Sequence, residues 1–306
     1  MRRVLITGGS GLLALNWACR MRDGYDVILA QHAHTSALRG VRCLPLDLES
    51  ADAFGRHLEQ LKPDLLVHTA GLTNVDLCEQ QPEEAMHANA ALALNVARAA
   101  NFLGIRLIHI STDHLFDGTQ ALRGEDDAPS PLNAYARTKL QAEQWVQQEH
   151  PRAMLVRTNF FGWGNRYRQS FSDWILAGLR AGKPLDMFEN VYFTPILADV
   201  LAASAHTLAD HDERGIINVA GDERISKYEF ARRLAAAFDL PGRLIRRARL
   251  SRSSLAAKRP LDMSLDSSRA RKRLGGSFGT LDGFFATLRQ QEADGRQQEL
   301  YAAVRE

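Results

Sequence analysis

Val4-Leu5-Ile6-Thr7-Gly8-Gly9-Ser10-Gly11-Leu12-Leu13-Ala14 reads as a short apolar strand, a glycine turn and the opening of a helix. In such a turn the backbone N–H groups and the helix N-terminus face the same point, which suits an anion such as a pyrophosphate. Gly8, Ser10, Gly11 and Leu12 are the candidate binding positions. The spacing Gly8-x-x-Gly11-x-x-Ala14 is tighter than Gly-x-Gly-x-x-Gly, and Ala14 is small enough for close packing of helix on strand.

Working outward, short apolar runs recur at Val4 to Ile6, Val27 to Leu29, Leu65 to Val67, Leu107 to Ile110, Leu155 to Val156 and Ile216 to Val219. Helix-length segments separate them: Leu12 to Arg22, Ala51 to Leu61, Glu83 to Leu103 and Ala134 to Glu149. Continuous apolar strands alternating with helices predict a parallel sheet covered on both faces. The expected fold is therefore α/β, a doubly wound parallel sheet of Rossmann type with a smaller C-terminal α/β substrate-binding region. The expected division places a dinucleotide-binding domain at residues 1–157. Residues 158–306 form a mainly substrate-binding region that returns some segments to the sheet. Phe160 to Gly164 and Glu189 to Pro195 read as aromatic loops lining a pocket. Helices near Lys227 to Phe238 and Asp282 to Tyr301 are expected to lie as a lid over the strand ends.

A chain of 306 residues, 45% hydrophobic and 24% charged, has room for a large domain and a companion. No apolar run approaches the ~20 residues needed to span a bilayer, so a cytoplasmic protein without membrane contact is expected. A net charge of +2 gives no reason to expect nucleic acid. The arginine-rich segments Arg243 to Arg252 and Arg269 to Arg273 are read as solvated faces, with one arginine meeting a diphosphate as the competing reading. Cys19, Cys43 and Cys78 have no metal-ligand spacing and read as reduced thiols. No metal site is expected.

In dinucleotide-binding folds an acidic residue about 20 positions beyond the glycine turn holds the ribose 2′-hydroxyl of NAD. None stands there. Ala30-Gln31-His32-Ala33-His34 follows the second strand, with Arg39 beyond, and a neutral or basic site tolerates a 2′-phosphate. NADPH is therefore preferred over NADH. His32, Asp47 and Leu48 are expected to border the adenosine, Asp47 accepting from the adenine amino group.

Tyr135-Ala136-Arg137-Thr138-Lys139 lies 23 residues beyond Thr112. Tyr and Lys four apart share a helix face. An unperturbed Tyr titrates at about 10, so the Lys139 ammonium, with an oxidised nicotinamide, is expected to bring its pKa down toward working range. Thr112, at a strand end, donates a second hydrogen bond to the same substrate oxygen. Thr112, Tyr135 and Lys139 are the catalytic candidates, the last two also binding the cofactor.

Ile110-Ser111-Thr112-Asp113-His114-Leu115-Phe116-Asp117-Gly118, then Pro131 to Tyr135 and Lys139, closely resembles the extended short-chain dehydrogenase/reductases. More narrowly the chain resembles their dTDP-4-dehydrorhamnose reductase branch, to which His68 to Asp76 and Arg259 to Asp266 are also similar. The resemblance implies an NAD(P)H-dependent reductase that passes hydride to the C4 ketone of a nucleotide-linked 4-keto-6-deoxysugar in deoxysugar biosynthesis. It implies Tyr135 protonating the alkoxide and Lys139 holding the nicotinamide ribose. It implies Ala70 and Gly71 along the cofactor, and Thr73, Val75, Thr112, Asp113, His114, Phe160 and Arg259 around the substrate. His114 departs from the tyrosine common in that branch.

Other readings stay open. A 4,6-dehydratase is disfavoured because His114 stands where Glu would supply the acid, and an epimerase-reductase would need a cysteine near Thr112. A nucleotide-sugar 4-epimerase needs the same Thr, Tyr and Lys. A non-catalytic subunit resembling the regulatory subunit of methionine adenosyltransferase would use the fold to bind a partner enzyme. A homodimer through the helices Glu83 to Leu103 and Ala134 to Glu149 is open, as are the nucleotide and sugar.

Overall fold

The computed structural model describes residues 1–32, 34–251 and 255–305; Ala33 and Arg252 fall outside the described residues. Seven parallel strands make the main sheet: β1 (Arg3–Thr7), β2 (Asp26–Gln31), β3 (Arg42–Pro45), β4 (Leu65–His68), β5 (Arg106–Ile110), β6 (Met154–Arg157) and β7 (Gly215–Asn218). Their spatial order is β7-β6-β5-β4-β1-β2-β3, and every neighbouring pair is parallel.

Side-chain alternation divides the strands between two cores. Val4, Ile6, Val27, Leu29, Leu65, Val67, Ile108 and Val156 pack on one face beneath α1 (Leu12–Met21) and α8 (Ala198–Asp210). Leu5, Ile28, Leu66, Leu107 and Leu155 pack on the other beneath α2 (Ala51–Leu61), α5 (Leu92–Phe102) and α6 (Ala134–Glu149). With both faces buried, neither can carry polar alternation, which is why these runs are continuously apolar.

The chain winds outward from β1 through β2 to β3, then crosses back to β4 on the other side of β1. That reversal opens a crevice beyond the C-terminal ends of β1 and β4. The short helices α3 (Val75–Gln80) and α4 (Pro82–Met86) lead out of it. The expected continuous α-helix from Glu83 to Leu103 is not one. A π-turn at His87–Ala91 joins α4 to α5, and its bulge swings Asn89 toward the crevice.

The region beyond residue 157 holds α7 (Phe171–Arg180), α9 (Lys227–Ala237) and three two-stranded ladders, Phe160–Phe161 with Ile196–Leu197, Leu185–Phe188 with Ile245–Ala248 and Tyr192–Phe193 with Ile225–Ser226. β7 and α8 come from this part of the sequence yet complete the main sheet and its cover.

Two sequence expectations change here. The aromatic rings are mainly core, although Glu189, Asn190 and Tyr192 of the second segment border a surface cavity with Tyr228 and Arg247. Phe161, Trp163 and Phe193 are fully buried, and Phe161, Phe193, Phe230 and Phe285 pack ring on ring at 5.1–5.7 Å. The short ladders turn these rings inward against α9 and α11 (Leu281–Ala293). The second is the lid. α11 packs on α9, and the expected helix from Asp282 to Tyr301 is broken in two. Gly295, at φ 82°, breaks off a separate helix α12 (Arg296–Ala303), whose Glu299 pairs with Arg22, the C-cap of α1. The tail then pairs Val304–Arg305 with Thr35–Ser36.

Candidate active site

The glycine turn is wedged between the ends of β2 and β4. A Cβ on Gly8, which sits at φ 73°, would lie 2.9 Å from the Ala70 backbone, and one on Gly9 would lie 2.8 Å from the Ala30 carbonyl oxygen. Gly11 caps α1 with no side-chain hydrogen bond. The first N–H groups of α1, Leu12 among them, thus have no side-chain acceptor and face the crevice as an anion site. Ala14 is fully buried. Ser10 is half-buried, and its carbonyl accepts from Asn165 Nδ2 at 2.8 Å.

The crevice continues as a cavity of about 450 Å³ bordered by Gly8, Ser10, His32, Leu48, Ala70 and Gly71. Its shape and its donor set, with bare glycine backbone at one end and Leu46, Leu48 and Leu92 at the other, suit a pyrophosphate joined to a flat adenine. Asp47 is exposed and outside this lining, its carboxylate accepting from the Glu49 N–H at 2.8 Å. Glu49 lines the cavity instead, and His87 Nε2 lies 2.7 Å from its carboxylate. His34 stacks on Tyr167 with ring centroids 4.7 Å apart.

Thr112, at the exit of β5, and Tyr135, in the first turn of α6, come together. The Thr112 hydroxyl donates to Asp113 Oδ1 at 3.3 Å and accepts from the His114 N–H at 3.2 Å, near enough to the Tyr135 phenol to lower its pKa. Both are nearly fully buried. Asn133 caps α6 by accepting from the Ala136 N–H at 2.9 Å, which fixes where the helix starts. Lys139, one turn on, donates from Nζ to the Ile110 carbonyl at 2.7 Å. The expected lowering of the tyrosine pKa does not hold in this arrangement. Burial pushes Tyr135 up to about 12, and the nearby Thr112 hydroxyl only partly opposes it. The Lys139 ammonium is turned to the Ile110 carbonyl and is itself pushed down to about 8 by burial, with Glu143 acting the other way.

Below Lys139 sit His68 and His109, in register on β4 and β5 with rings 5.4 Å apart. Burial, then the Lys139 charge, lowers both, His68 to about 3. They are neutral polar filling between the lysine and Thr7, whose Oγ1 lies 2.7 Å from His68 Nδ1. A lone histidine near the C-terminal end of each apolar strand is the one sequence signal for them.

Around the reacting end, Asp113 is buried and accepts from Asn159 Nδ2; burial raises its pKa. His114 meets the Tyr135 ring edge-on at 5.6 Å. Burial lowers it, so it stays neutral near pH 7. Val75 and Leu72 pack against Tyr135. Thr73 is exposed and accepts from Arg168. Phe160 is half-buried on its ladder. Arg259 is ion-paired to Asp76 at 2.9 Å and close enough to lower the His114 pKa. The other arginine runs are engaged at the surface, Arg247 and Arg249 by Glu189 and Arg271 by Asp222.

Several residues were not singled out from sequence. Asn89 accepts from the Leu72 N–H at 2.7 Å and donates to the Leu72 carbonyl and Thr138 Oγ1, both at 3.0 Å. It ties the Ala70 to Leu72 loop to the catalytic helix. A Cβ on Gly71 would lie 2.6 Å from its Oδ1. Asn89→Ala is expected to weaken cofactor binding by about tenfold, the scale of one lost hydrogen bond and the unpaired groups left behind, read by fluorescence titration with NADPH. Cys78, in sequence only a reduced thiol, is placed by α3, fully buried, in the apolar cluster with Tyr135. Its thiol donates to the Leu72 carbonyl and burial raises its pKa, so it cannot serve as an exposed base.

Residues 1–280 match the model of the RmlD substrate binding domain family. The chain belongs to that family. Among curated relatives, the probable low-salt glycan biosynthesis reductase Agl14 of Haloferax volcanii is 28% identical over 295 residues, 94% of this chain and 98% of that protein. Methionine adenosyltransferase 2 subunit beta of Mus musculus is 30% identical over 279 residues, 88% of this chain and 81% of that one. The crystal structure of a hypothetical dTDP-4-dehydrorhamnose reductase from Sulfolobus tokodaii superposes with a TM-score of 0.80 at 34% identity, covering 92% of this chain and 99% of its own. The chain is thus similar both to proteins named as reductases and to a protein named as a subunit of another enzyme. What separates them must be read from the site.

Proposed function

We propose that this protein is an NAD(P)H-dependent reductase of a nucleotide-linked 4-keto-6-deoxysugar, with NADPH preferred. The observation that carries the reading is the convergence of Thr112 and Tyr135 on His114, whose N–H donates to the Thr112 hydroxyl and whose ring meets the Tyr135 ring edge-on, one helical turn from Lys139 and beside a crevice suited to a dinucleotide. The bound nicotinamide supplies the hydride. Thr112 donates to the ketone oxygen and holds it against Tyr135. A phenol pushed up to about 12 is fully protonated at neutral pH, and an alkoxide is the stronger base, so the proton passes from Tyr135 to the new hydroxyl. Lys139 binds the nicotinamide ribose, and its charge favours the phenolate left behind. Gly8, Ser10, Gly11 and Leu12 hold the pyrophosphate. His32, just past β2 where NAD-binding folds carry an acidic residue, accommodates a 2′-phosphate.

The test follows NADPH and NADH absorbance with dTDP-4-keto-6-deoxyglucose, with and without a 3,5-epimerase. Oxidation supports the reductase reading and fixes the cofactor. The likeness to methionine adenosyltransferase 2 subunit beta favours a second reading, a partner-binding subunit. Stable complex formation with a methionine adenosyltransferase, and no turnover of any keto-sugar, would establish that one.

The rate has a defined alkaline limit. Lys139 is lowered to about 8, so its ammonium is present below that pH and lost as pH rises through it. We expect kcat to be flat from pH 6 to 7 and to fall above about 8 in a pH–rate profile.

A further inference from the structure

Asn165 to Arg168 form a tight turn ahead of α7. The Asn165 N–H donates to the Arg168 carbonyl at 2.9 Å and the Arg168 N–H to the Asn165 carbonyl at 3.2 Å. Asn165 Oδ1 also accepts from the Tyr167 and Arg168 N–H groups, both at 2.9 Å, so the asparagine fixes its own turn. This turn is fastened to the crevice at three points. Asn165 Nδ2 donates to the Ser10 carbonyl in the glycine turn at 2.8 Å. The Tyr167 ring stacks on His34 at 4.7 Å, and Arg168 Nη2 donates to Thr73 Oγ1. Ser10, His34 and Leu72, the neighbour of Thr73, all line the cofactor cavity. Ser10 and Thr73 lie in the loops that leave β1 and β4, which are adjacent in the sheet, so the turn bridges the mouth between them.

Arg168 is exposed, and among the described residues its guanidinium makes no ion pair; its partner is the neutral Thr73 hydroxyl. Arg166, two residues earlier, is turned instead to the Tyr301 ring of α12 at 5.7 Å. The cavity wall itself holds no lysine or arginine, whereas a diphosphate diester is a dianion, and a helix N-terminus offsets about half of one charge. The arginine-rich runs are engaged by carboxylates elsewhere. We infer that Arg168, held across the crevice mouth by Thr73, binds the diphosphate of a bound nucleotide, its guanidinium donating to two phosphate oxygens. Planar bidentate donation is what distinguishes a guanidinium from an ammonium at such a ligand. The inference deepens the proposed function and rests on its dinucleotide site, not on its hydride chemistry. Both NADPH and a sugar nucleotide carry the diphosphate diester; the contacts to Ser10 and His34 favour that of NADPH.

The test is calorimetric titration of wild type, Arg168→Met and Arg168→Lys with NADPH, with adenosine 2′-monophosphate, which lacks the diphosphate, and with dTDP-glucose in the presence of NADP. Met keeps the length of the stem and removes the donors. We expect the NADPH Kd to rise about 10–100-fold in Arg168→Met, the scale of a hydrogen bond to a charged group, and Arg168→Lys to recover part of the loss. The Kd for adenosine 2′-monophosphate should stay within about twofold, which a merely loosened turn would not allow. A loss on dTDP-glucose in place of NADPH supports the inference with the sugar nucleotide as the source of the diphosphate. Unchanged affinity for both diphosphates, or an equal loss on adenosine 2′-monophosphate, overturns it. If wild type binds NADPH and Arg168→Met weakens it but no keto-sugar is turned over, only the reductase reading fails. If keto-sugar is reduced and both proteins bind the two diphosphates alike, only the inference fails. A wild type that binds neither NADPH nor dTDP-glucose overturns both.

Discussion

Replacing Tyr135 by Phe lowers kcat for keto-sugar reduction by about 10²–10⁴-fold, the contribution of a positioned general acid, and leaves NADPH affinity within about threefold. The asymmetry follows from the geometry. The phenol lies near the Thr112 hydroxyl, whereas the residue's other contacts, the packing on Cys78 and Ala85 and the backbone carbonyl that accepts from Thr138 Oγ1 at 2.8 Å, survive in Phe. The fold and the cofactor crevice should therefore remain. Single-turnover reduction and fluorescence titration of the same sample check the two halves. A fall in affinity to match the rate would mean that Tyr135 acts by holding the cofactor, not by delivering a proton.

Glu143→Leu is expected to destabilise the protein by about 3–5 kcal/mol, the cost of leaving one buried charge without its partner. Arg157, at the end of β6, reaches across to Glu143 on α6 with Nε at 3.0 Å and Nη2 at 2.7 Å, and each side chain is only 2% exposed. The apolar surroundings that make the pair tight also make a lone guanidinium costly. In urea denaturation the single variant should show the full loss. Glu143→Leu combined with Arg157→Met removes both charges and should recover most of it. A single variant as stable as wild type would show that water reaches the arginine. The same pair bears on chemistry, because Glu143 lies one turn beyond Lys139 and favours its charged form. The alkaline limit of activity should move to lower pH in Glu143→Leu.

Much of this was legible in the chain because the signals are local. The glycine turn must be glycine where a Cβ would strike backbone, the strands are continuously apolar because both faces are covered, and Tyr135 and Lys139 share a face through helical periodicity alone. Less local features were not readable. The π-turn at His87–Ala91 lies in an alanine-rich run whose composition predicts an uninterrupted helix. Its bulge is stabilised by the bonds Asn89 makes to Leu72 and Thr138, residues 17 and 49 positions away in sequence. The aromatic segments after residue 157 looked like pocket lining because short ladders carry too little periodicity to say which rings turn inward.

The sequence by itself determined the sheet, the glycine turn and the separate identities of Thr112, Tyr135 and Lys139, since each is set by contacts within a few residues. Tertiary structure alone decided how far the phenol is buried and hence which way its pKa moves. It decided that Cys78 packs beside Tyr135 and that Asn89 ties the cofactor loop to the catalytic helix. Burial and electrostatics depend on what the rest of the fold brings near, and residue spacing carries no record of that.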